Sequence, residues 1–173
     1  KHNLTGITVH DFLEDSIEKS FKLWHKGISI HERNKLFQEF THNLEKVRFC
    51  TGEKYLSDIT SADIIFVPQS WRLYRQRNKP LWEAKQKGIP FYSLTRMYLD
   101  FAKATIVGVT GTVGKGSVTH VLSQLLSKCG KDVYVAGNDT WRLQLGEKID
   151  EMRENDILLL EISHRQLQDG FTK

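Results

Sequence analysis

The sequence predicts an α/β fold with parallel sheets, because short strand-type runs alternate with helical stretches along the chain. One of these runs, residues 63–67, is almost continuously apolar, as is typical of a strand buried in a parallel sheet. A glycine-rich turn at residues 111–117 joins another apolar strand directly to a long amphipathic helix. Together these observations favour strands and helices that alternate within the same layers.

The elements of the first part follow from the spacing of apolar residues and from the residues that end each run. Pro68 ends the run at residues 63–67, and Gly88 ends a helix that begins near Leu81. The predicted elements are a strand at residues 6–9, helices at 16–25 and 32–40, strands at 47–50 and 63–67, a helix at 81–87, a strand at 89–92 and a helix at 95–102.

The second part repeats the order strand, loop, helix, strand, which predicts a parallel sheet packed between helices. Its elements are a strand at residues 105–109, a helix at 115–129 and strands at 132–136 and 156–162. Gly130 ends the helix, whose apolar residues form one stripe: Val118, Val121, Leu122, Leu125, Leu126 and Cys129. The change between the two parts near residue 102 predicts domains at residues 1–102 and 103–173.

Composition places the chain among globular proteins, since 39% of its 173 residues are hydrophobic and 27% are charged. The net charge of +4 is spread along the chain without a nucleic-acid-binding motif, so we expect no nucleic-acid partner. No apolar run or signal peptide predicts a membrane partner, and two widely spaced cysteines favour a cytoplasmic protein. The sequence indicates no oligomeric state. Because it begins without Met and ends just after a new element starts, we expect part of a longer protein.

The glycine-rich turn has the parts of a phosphate-binding loop. Glycines let backbone N–H groups approach an anion, and the helix that follows directs its own N–H groups at it. Lys115 is placed to reach the outer phosphates, and the hydroxyl of Ser117 to help hold Mg²⁺. The strict pattern fails at Val109, which replaces its first glycine, and at Gly116, which displaces the hydroxyl by one residue. A glycine-rich structural turn with an exposed lysine therefore remains the alternative.

The loop also resembles that of a known family. Residues 109–115 are similar to the T-G-T-N-G-K-[ST] loop of the Mur ligases, and residues 136–138 to the G-G-N turn after that family's next strand. Residues 160–167 resemble the L-E-L-S-S-F-Q-L segment of the member that adds D-glutamate. Residues 62–68, 88–90 and 98–99 resemble the second half of its nucleotide-sugar domain. Each likeness is weak alone, but all of them occur in order.

This resemblance implies a fold and a reaction. It implies a partial Rossmann-like N-terminal domain that binds a UDP-sugar, followed by the first half of a P-loop ATPase domain with a parallel sheet. It also implies an ADP-forming amide ligase of peptidoglycan synthesis that uses ATP and Mg²⁺. Its substrates would be UDP-N-acetylmuramoyl-L-alanine and D-glutamate, joined through an acyl phosphate.

The resemblance assigns roles to individual residues. Lys115 and Glu161 become the catalytic pair, and Ser117 and Glu161 the Mg²⁺ ligands. Asp11, Asn138 and Ser163 match substrate-binding positions. The ATP-binding residues would be Gly111, Thr112, Gly114, Lys115, Gly116 and Ser117.

Each role outside the loop has a plainer alternative. For Glu161 the alternative is pairing with a core lysine or arginine, for Asn138 a plain turn, and for Asp11 the N-cap of the following helix.

Four departures from the family pattern keep other functions open. Val113 replaces an asparagine of the family's loop, and His164 replaces a serine of its L-E-L-S-S-F-Q-L segment. Residues 67–69 stand where the family has the motif S-P-G, so Gln69 replaces its glycine. The Gly116-Ser117 pair is more like the related folylpolyglutamate synthases. The alternatives are therefore a ligase of that kind, or a degenerate nucleotide-binding protein without catalytic activity.

Overall fold

The structure, a computed structural model, describes residues 6–12, 17–24, 29–138 and 146–170. It divides the chain into two compact units, with the division between Ser61 and Ala62. Both units contain helices and parallel strands, which confirms the predicted α/β class. Within the described ranges, no helix is both long enough and apolar enough to cross a membrane.

Among the described residues of the first unit are two parallel strands and two α-helices, and aromatic rings of the two helices are in contact. Its main elements are β1 (Thr8–His10), α1 (Ile17–Trp24), α2 (Ile30–Leu44) and β2 (Arg48–Cys50), and β1 pairs with β2. Ser29 starts α2 two residues earlier than predicted, because its hydroxyl accepts a hydrogen bond from the N–H of Glu32 at 3.2 Å. The ring of Phe21 in α1 lies 5.2 Å from that of Phe37 in α2. Residues 16 and 25, the predicted ends of the first helix, lie outside the described residues.

The described residues of the second unit form two separate parallel sheets. One pairs β3 with β4, and the other has the strand order β5-β7-β6. In the central strand β7, Leu158, Leu159 and Leu160 are 1% exposed or less, as expected for a strand covered on both faces. The elements are β3 (Ile65–Phe66), α3 (Lys79–Gln86), β4 (Phe91–Tyr92), α4 (Leu94–Phe101), β5 (Thr105–Val109), α5 (Lys115–Lys128), β6 (Val133–Gly137), β7 (Ile157–Glu161) and α6 (His164–Gly170).

Two predicted apolar surfaces are buried only in part. In the run at residues 63–67, Ile65 is buried but Phe66 is 58% exposed. The prediction of a buried strand is therefore wrong for one face, because Ile65 and Val67 are buried while Ile64 and Phe66, which alternate with them, are exposed. In α5, Val121 and Leu125 are more than half exposed. The predicted stripe is wider than the part of the helix that packs on the sheet.

Residues on both sides of the predicted boundary near residue 102 share one hydrophobic core. Tyr98 of α4 is fully buried in the same cluster as Ala104, Leu158 and Leu160. Compactness thus divides the chain after Ser61, whereas the predicted domains at residues 1–102 and 103–173 separate two binding functions. That functional division stays a prediction.

Candidate functional site

The predicted nucleotide residues lie at one edge of the three-stranded sheet. Its strands are parallel, and Val109 of β5 is in register with Glu161 of β7, which is in register with Gly137 of β6. The carboxyl ends of all three strands therefore lie side by side. This edge carries the segments that follow the strands, and in open parallel sheets ligands bind at such an edge.

The loop between β5 and α5 has the backbone that its glycines were expected to provide. Gly111 and Gly114 have φ angles of 150° and 81°, a region that side chains disfavour. Gly114 is the N-cap of α5, and no side chain in the described part of the chain caps that end. The N–H groups of the first turn are thus available to an anion. Val113 is 90% exposed, so the residue that replaces asparagine lies in solvent.

Lys115 folds back over this loop. Its Nζ donates a hydrogen bond to the carbonyl oxygen of Gly111 at 3.1 Å. The ammonium group is therefore held beside the loop backbone, at the start of α5. A cation in this place neutralises part of the charge of a bound polyphosphate.

Glu161 lies against the first turn of α5. A Cβ atom built on Gly116 would be 3.3 Å from Glu161 Oε2, which is tighter than most contacts of real Cβ atoms. Glycine at this position therefore lets the carboxylate approach the helix that carries Lys115 and Ser117. Within the described ranges no lysine or arginine forms an ion pair with Glu161, so the structure does not support the alternative of a core cation as its partner.

The residues at this edge fit Mg²⁺. The ion prefers oxygen ligands, keeps several waters, and is usually bound through one or two carboxylates together with substrate phosphates. Glu161 supplies a carboxylate whose Oε2 faces Gly116, and Ser117 is the next residue of that turn. Among the described residues no group of three or more His, Cys, Asp or Glu side chains is arranged to hold a metal without a substrate. The phosphates of the nucleotide would therefore have to complete the coordination.

Asn138 and Ser163 lie at the same edge and are joined by a third residue. Gln69 donates from Nε2 to Asn138 Oδ1 at 3.0 Å and accepts from Ser163 Oγ at 2.8 Å. Asn138 Nδ2 donates to Glu161 Oε1 at 3.4 Å. The two residues predicted on the substrate side are thus connected to each other and to Glu161.

Ser163 also begins α6 in a reciprocal capping arrangement. Its Oγ accepts from the N–H of Gln166 at 3.3 Å, and its own N–H donates to Gln166 Oε1 at 2.7 Å. This capping box fixes Ser163 at the end of β7. The structure therefore gives Ser163 a structural task as well, while one lone pair of its hydroxyl oxygen stays open to a ligand. His164, the next residue, is exposed.

Asp11 belongs to the first unit and directly follows β1. Its N–H donates to the carbonyl oxygen of Cys50 at 3.1 Å. Burial raises the pKa of its carboxyl group, and a hydrogen bond from the N–H of Phe12 partly offsets that rise. Residues 13–16, which precede α1, lie outside the described residues, so the N-cap alternative is not tested.

Sequence reasoning missed two residues of the site. Gln166 was detectable, because serine followed three residues later by glutamine is the pattern of a capping box. Gln69 was noted only as a departure from the S-P-G motif. It lies 69 residues from Asn138 and 94 from Ser163 in the chain, so no local pattern predicts that they meet.

The chain is similar in sequence to known ligases. Residues 109–172 match the family model of the Mur ligase middle domain. A UDP-N-acetylmuramoylalanine–D-glutamate ligase of Clostridium acetobutylicum is 34% identical over 123 residues, which cover 71% of this chain and 26% of that protein. Proteins of the same name from Clostridium kluyveri and Clostridium beijerinckii are 32% and 30% identical over 71% and 72% of this chain, and 26% of each relative is covered. The chain thus spans about a quarter of the length of these curated relatives.

Proposed function

We propose that the chain is the nucleotide-binding part of a longer cytoplasmic ligase, because it belongs to the Mur ligase family through its middle-domain residues 109–172. The complete protein would add D-glutamate to UDP-N-acetylmuramoyl-L-alanine in peptidoglycan synthesis, as the names of its relatives suggest. Its partners would be these small molecules, with no nucleic acid and no membrane. Both cysteines are free, which is consistent with a reducing compartment.

The observation that carries this proposal is the contact between Glu161 and the first turn of α5. Its Oε2 lies beside Gly116, on the helix that carries Lys115 and Ser117, where a carboxylate supplies an oxygen ligand for Mg²⁺. With Mg²⁺ and ATP bound, the metal would neutralise charge on the phosphoryl group that moves to the carboxylate of the muramoyl substrate. The amine of D-glutamate would then displace phosphate from the acyl phosphate.

The residues of the loop divide this work. Backbone N–H groups from Gly111 to Gly114 and of the first turn of α5 would hold the phosphates, and Lys115 would stabilise the charge that develops on them. Thr112, Gly116 and Ser117 complete the loop, and Ser117 and Glu161 would hold the metal. None of these assignments requires Val113 to contact ATP.

The resemblance assigns substrate-binding roles to residues of each unit separately. Asn138 and Ser163 would meet the muramoyl part near Glu161, where the structure joins them through hydrogen bonds. Asp11 would contact the uridine, since an ionised carboxyl group accepts hydrogen bonds. The residues that select D-glutamate are expected in parts of the ligase that this chain does not contain.

The test is an assay of the complete protein for ADP release. It should release ADP with UDP-N-acetylmuramoyl-L-alanine and D-glutamate, and not with a folate substrate and L-glutamate. The Gly116-Ser117 pair is the observation that favours the folate ligase, so the opposite result would establish that alternative. ADP release with neither substrate pair would favour a degenerate nucleotide-binding protein and contradict the proposed reaction.

A further inference from the structure

Gln69 joins three segments that are far apart in the sequence. It lies after β3, whereas Asn138 follows β6 and Ser163 follows β7. Its carboxamide contacts both residues at 3.0 and 2.8 Å, and its side chain is half-buried. The family motif that this segment resembles has glycine here, which has no side chain to form such a bridge.

These residues belong to a series of hydrogen bonds that runs from Glu161 to the backbone N–H of Gln166. The groups at its two ends determine the direction of every hydrogen bond between them. An ionised Glu161 can only accept, so Asn138 must turn its NH₂ group towards it and its Oδ1 towards Gln69. At the other end, the backbone N–H of Gln166 can only donate, so Ser163 Oγ accepts it and directs its own proton at Gln69 Oε1. Gln69 meets both demands, with an acceptor for Ser163 and a donor for Asn138.

This polarity has a consequence for the two oxygens of Glu161. Oε1 accepts from Asn138 Nδ2 at 3.4 Å, while Oε2 lies against Gly116 at the first turn of α5. If the amide of Asn138 were rotated by half a turn, its Oδ1 would face Oε1 and repel it. The orientation that Gln69 imposes therefore stabilises the carboxylate with Oε2 towards the phosphate loop.

We propose that Gln69 is a positioning residue of the metal and substrate site, which rests on the function proposed above. It orients the side-chain amide of Asn138 and the hydroxyl of Ser163, and through Asn138 it directs Glu161 Oε2 towards the bound metal. Groups that orient a metal ligand from behind typically contribute tenfold or more to metal affinity. Gln69 thus replaces the glycine of the S-P-G motif with a side chain that supports the neighbouring site.

The test compares two substitutions in the full chain. Gln69→Ala removes both hydrogen bonds, whereas Gln69→Glu keeps the shape and the acceptor for Ser163 but removes the donor to Asn138. Gln76→Ala is the matched control, because Gln76 is an exposed glutamine of the same segment. The first readout is the position of the Asn138 side-chain NH₂ signals in ¹⁵N–¹H spectra without ligand. The second is the Mg²⁺ concentration for half-maximal ATP binding, measured beside the affinity for metal-free ATP.

Both Gln69 variants should move the Asn138 side-chain signals and raise the half-maximal Mg²⁺ concentration roughly tenfold. Metal-free ATP affinity should stay the same, and Gln69→Glu should have at least the effect of Gln69→Ala although it is isosteric. Gln76→Ala should change neither readout. The proposal would be overturned if the Asn138 signals did not move in Gln69→Glu. It would also be overturned if the affinity for metal-free ATP changed by the same factor as the half-maximal Mg²⁺ concentration. If the unsubstituted chain binds no Mg-ATP, the proposed function fails, and the Asn138 signals alone then decide the role of Gln69.

Discussion

Gly116 interrupts the order of lysine and hydroxyl that a strict phosphate loop requires. The reason lies at the end of β7, because Glu161 Oε2 lies close to where the Cβ atom of a side chain at this position would be. The displaced hydroxyl of Ser117 and the close carboxylate are therefore two consequences of one glycine. From the sequence the departure counts against a phosphate loop, whereas in the structure it permits the contact with the proposed metal ligand.

Gly116→Ala should weaken the Mg²⁺ dependence of ATP binding and leave the fold intact. The new Cβ would lie 3.3 Å from Glu161 Oε2, so the carboxylate must move by a few tenths of an ångström away from the helix. Titration of ATP binding with Mg²⁺ measures the effect. Gly6→Ala is the control, since a Cβ there meets no atom within 4 Å. Superimposable titrations of the Gly116 variant and the unsubstituted chain would show that the contact has no part in metal binding.

Glu161→Gln should raise the half-maximal Mg²⁺ concentration for ATP binding by at least roughly tenfold, because it removes the negative charge but keeps the shape. Glu154→Gln is the matched control, since Glu154 is an exposed carboxylate in the loop before β7. The same Mg²⁺ titration checks the prediction. An unchanged curve would mean that Glu161 is not a metal ligand.

At the ends of β6 and β7, Gly137 lies directly against the backbone of Glu161. A Cβ atom on Gly137 would overlap the carbonyl oxygen of Glu161, and Gly137 itself has a φ angle of 114°. Gly137→Ala should therefore destabilise the second unit by about 3 kcal/mol or more, since backbone atoms cannot rotate away. Chemical denaturation measures the loss. Gly130→Ala shares the positive φ angle but has open space, so equal losses in the two variants would contradict the predicted overlap.

The end of β1 should make the first unit sensitive to acid. The Nδ1 atom of His10 accepts a hydrogen bond from the N–H of Leu56 at 3.1 Å. Burial, followed by the nearby positive charge of Arg48, lowers the pKa of His10. As the pH falls below about 6.5, the unfolded chain then binds a proton before the folded chain does, so the free energy of unfolding decreases towards the lowered pKa.

Denaturation followed at pH 7.5 and pH 5.5, taken as roughly one unit on either side of the ordinary histidine pKa, checks this expectation. His10→Gln should reduce the loss of stability on acidification. His31→Gln should leave it unchanged, because His31 is an exposed residue of α2. A loss that persists in His10→Gln would assign the acid sensitivity to other groups.

Local sequence patterns predicted whether each element is a helix or a strand better than they predicted which of its faces is buried. Capping signals, apolar spacing and glycine or proline stops depend on neighbours in the chain, so the helices and strands of both units were predictable. Burial of a whole strand or helix face depends on which partner covers it. For that reason the exposed side of β3 at Phe66 and that of α5 at Val121 were not predictable from apolar spacing.

At the scale of the whole molecule, the family was recognisable because its motifs occur in order along the chain. The family comparison confirms the resemblance to the Mur ligases. The meeting of Gln69, Asn138 and Ser163 was not predictable, since it depends on how distant segments fold onto one sheet edge. Motif order thus predicts which residues belong to the site, and the fold decides which of them support one another.

The proposed function requires that the loop at residues 111–117 binds Mg-ATP through Lys115. Calorimetric titration of ATP into the chain, with and without Mg²⁺, measures this binding. We expect binding by the unsubstituted chain and by Lys128→Ala, whose lysine lies at the opposite end of α5. Lys115→Ala should keep its circular dichroism spectrum and lose detectable binding. Unchanged Mg-ATP affinity in Lys115→Ala would contradict the claim.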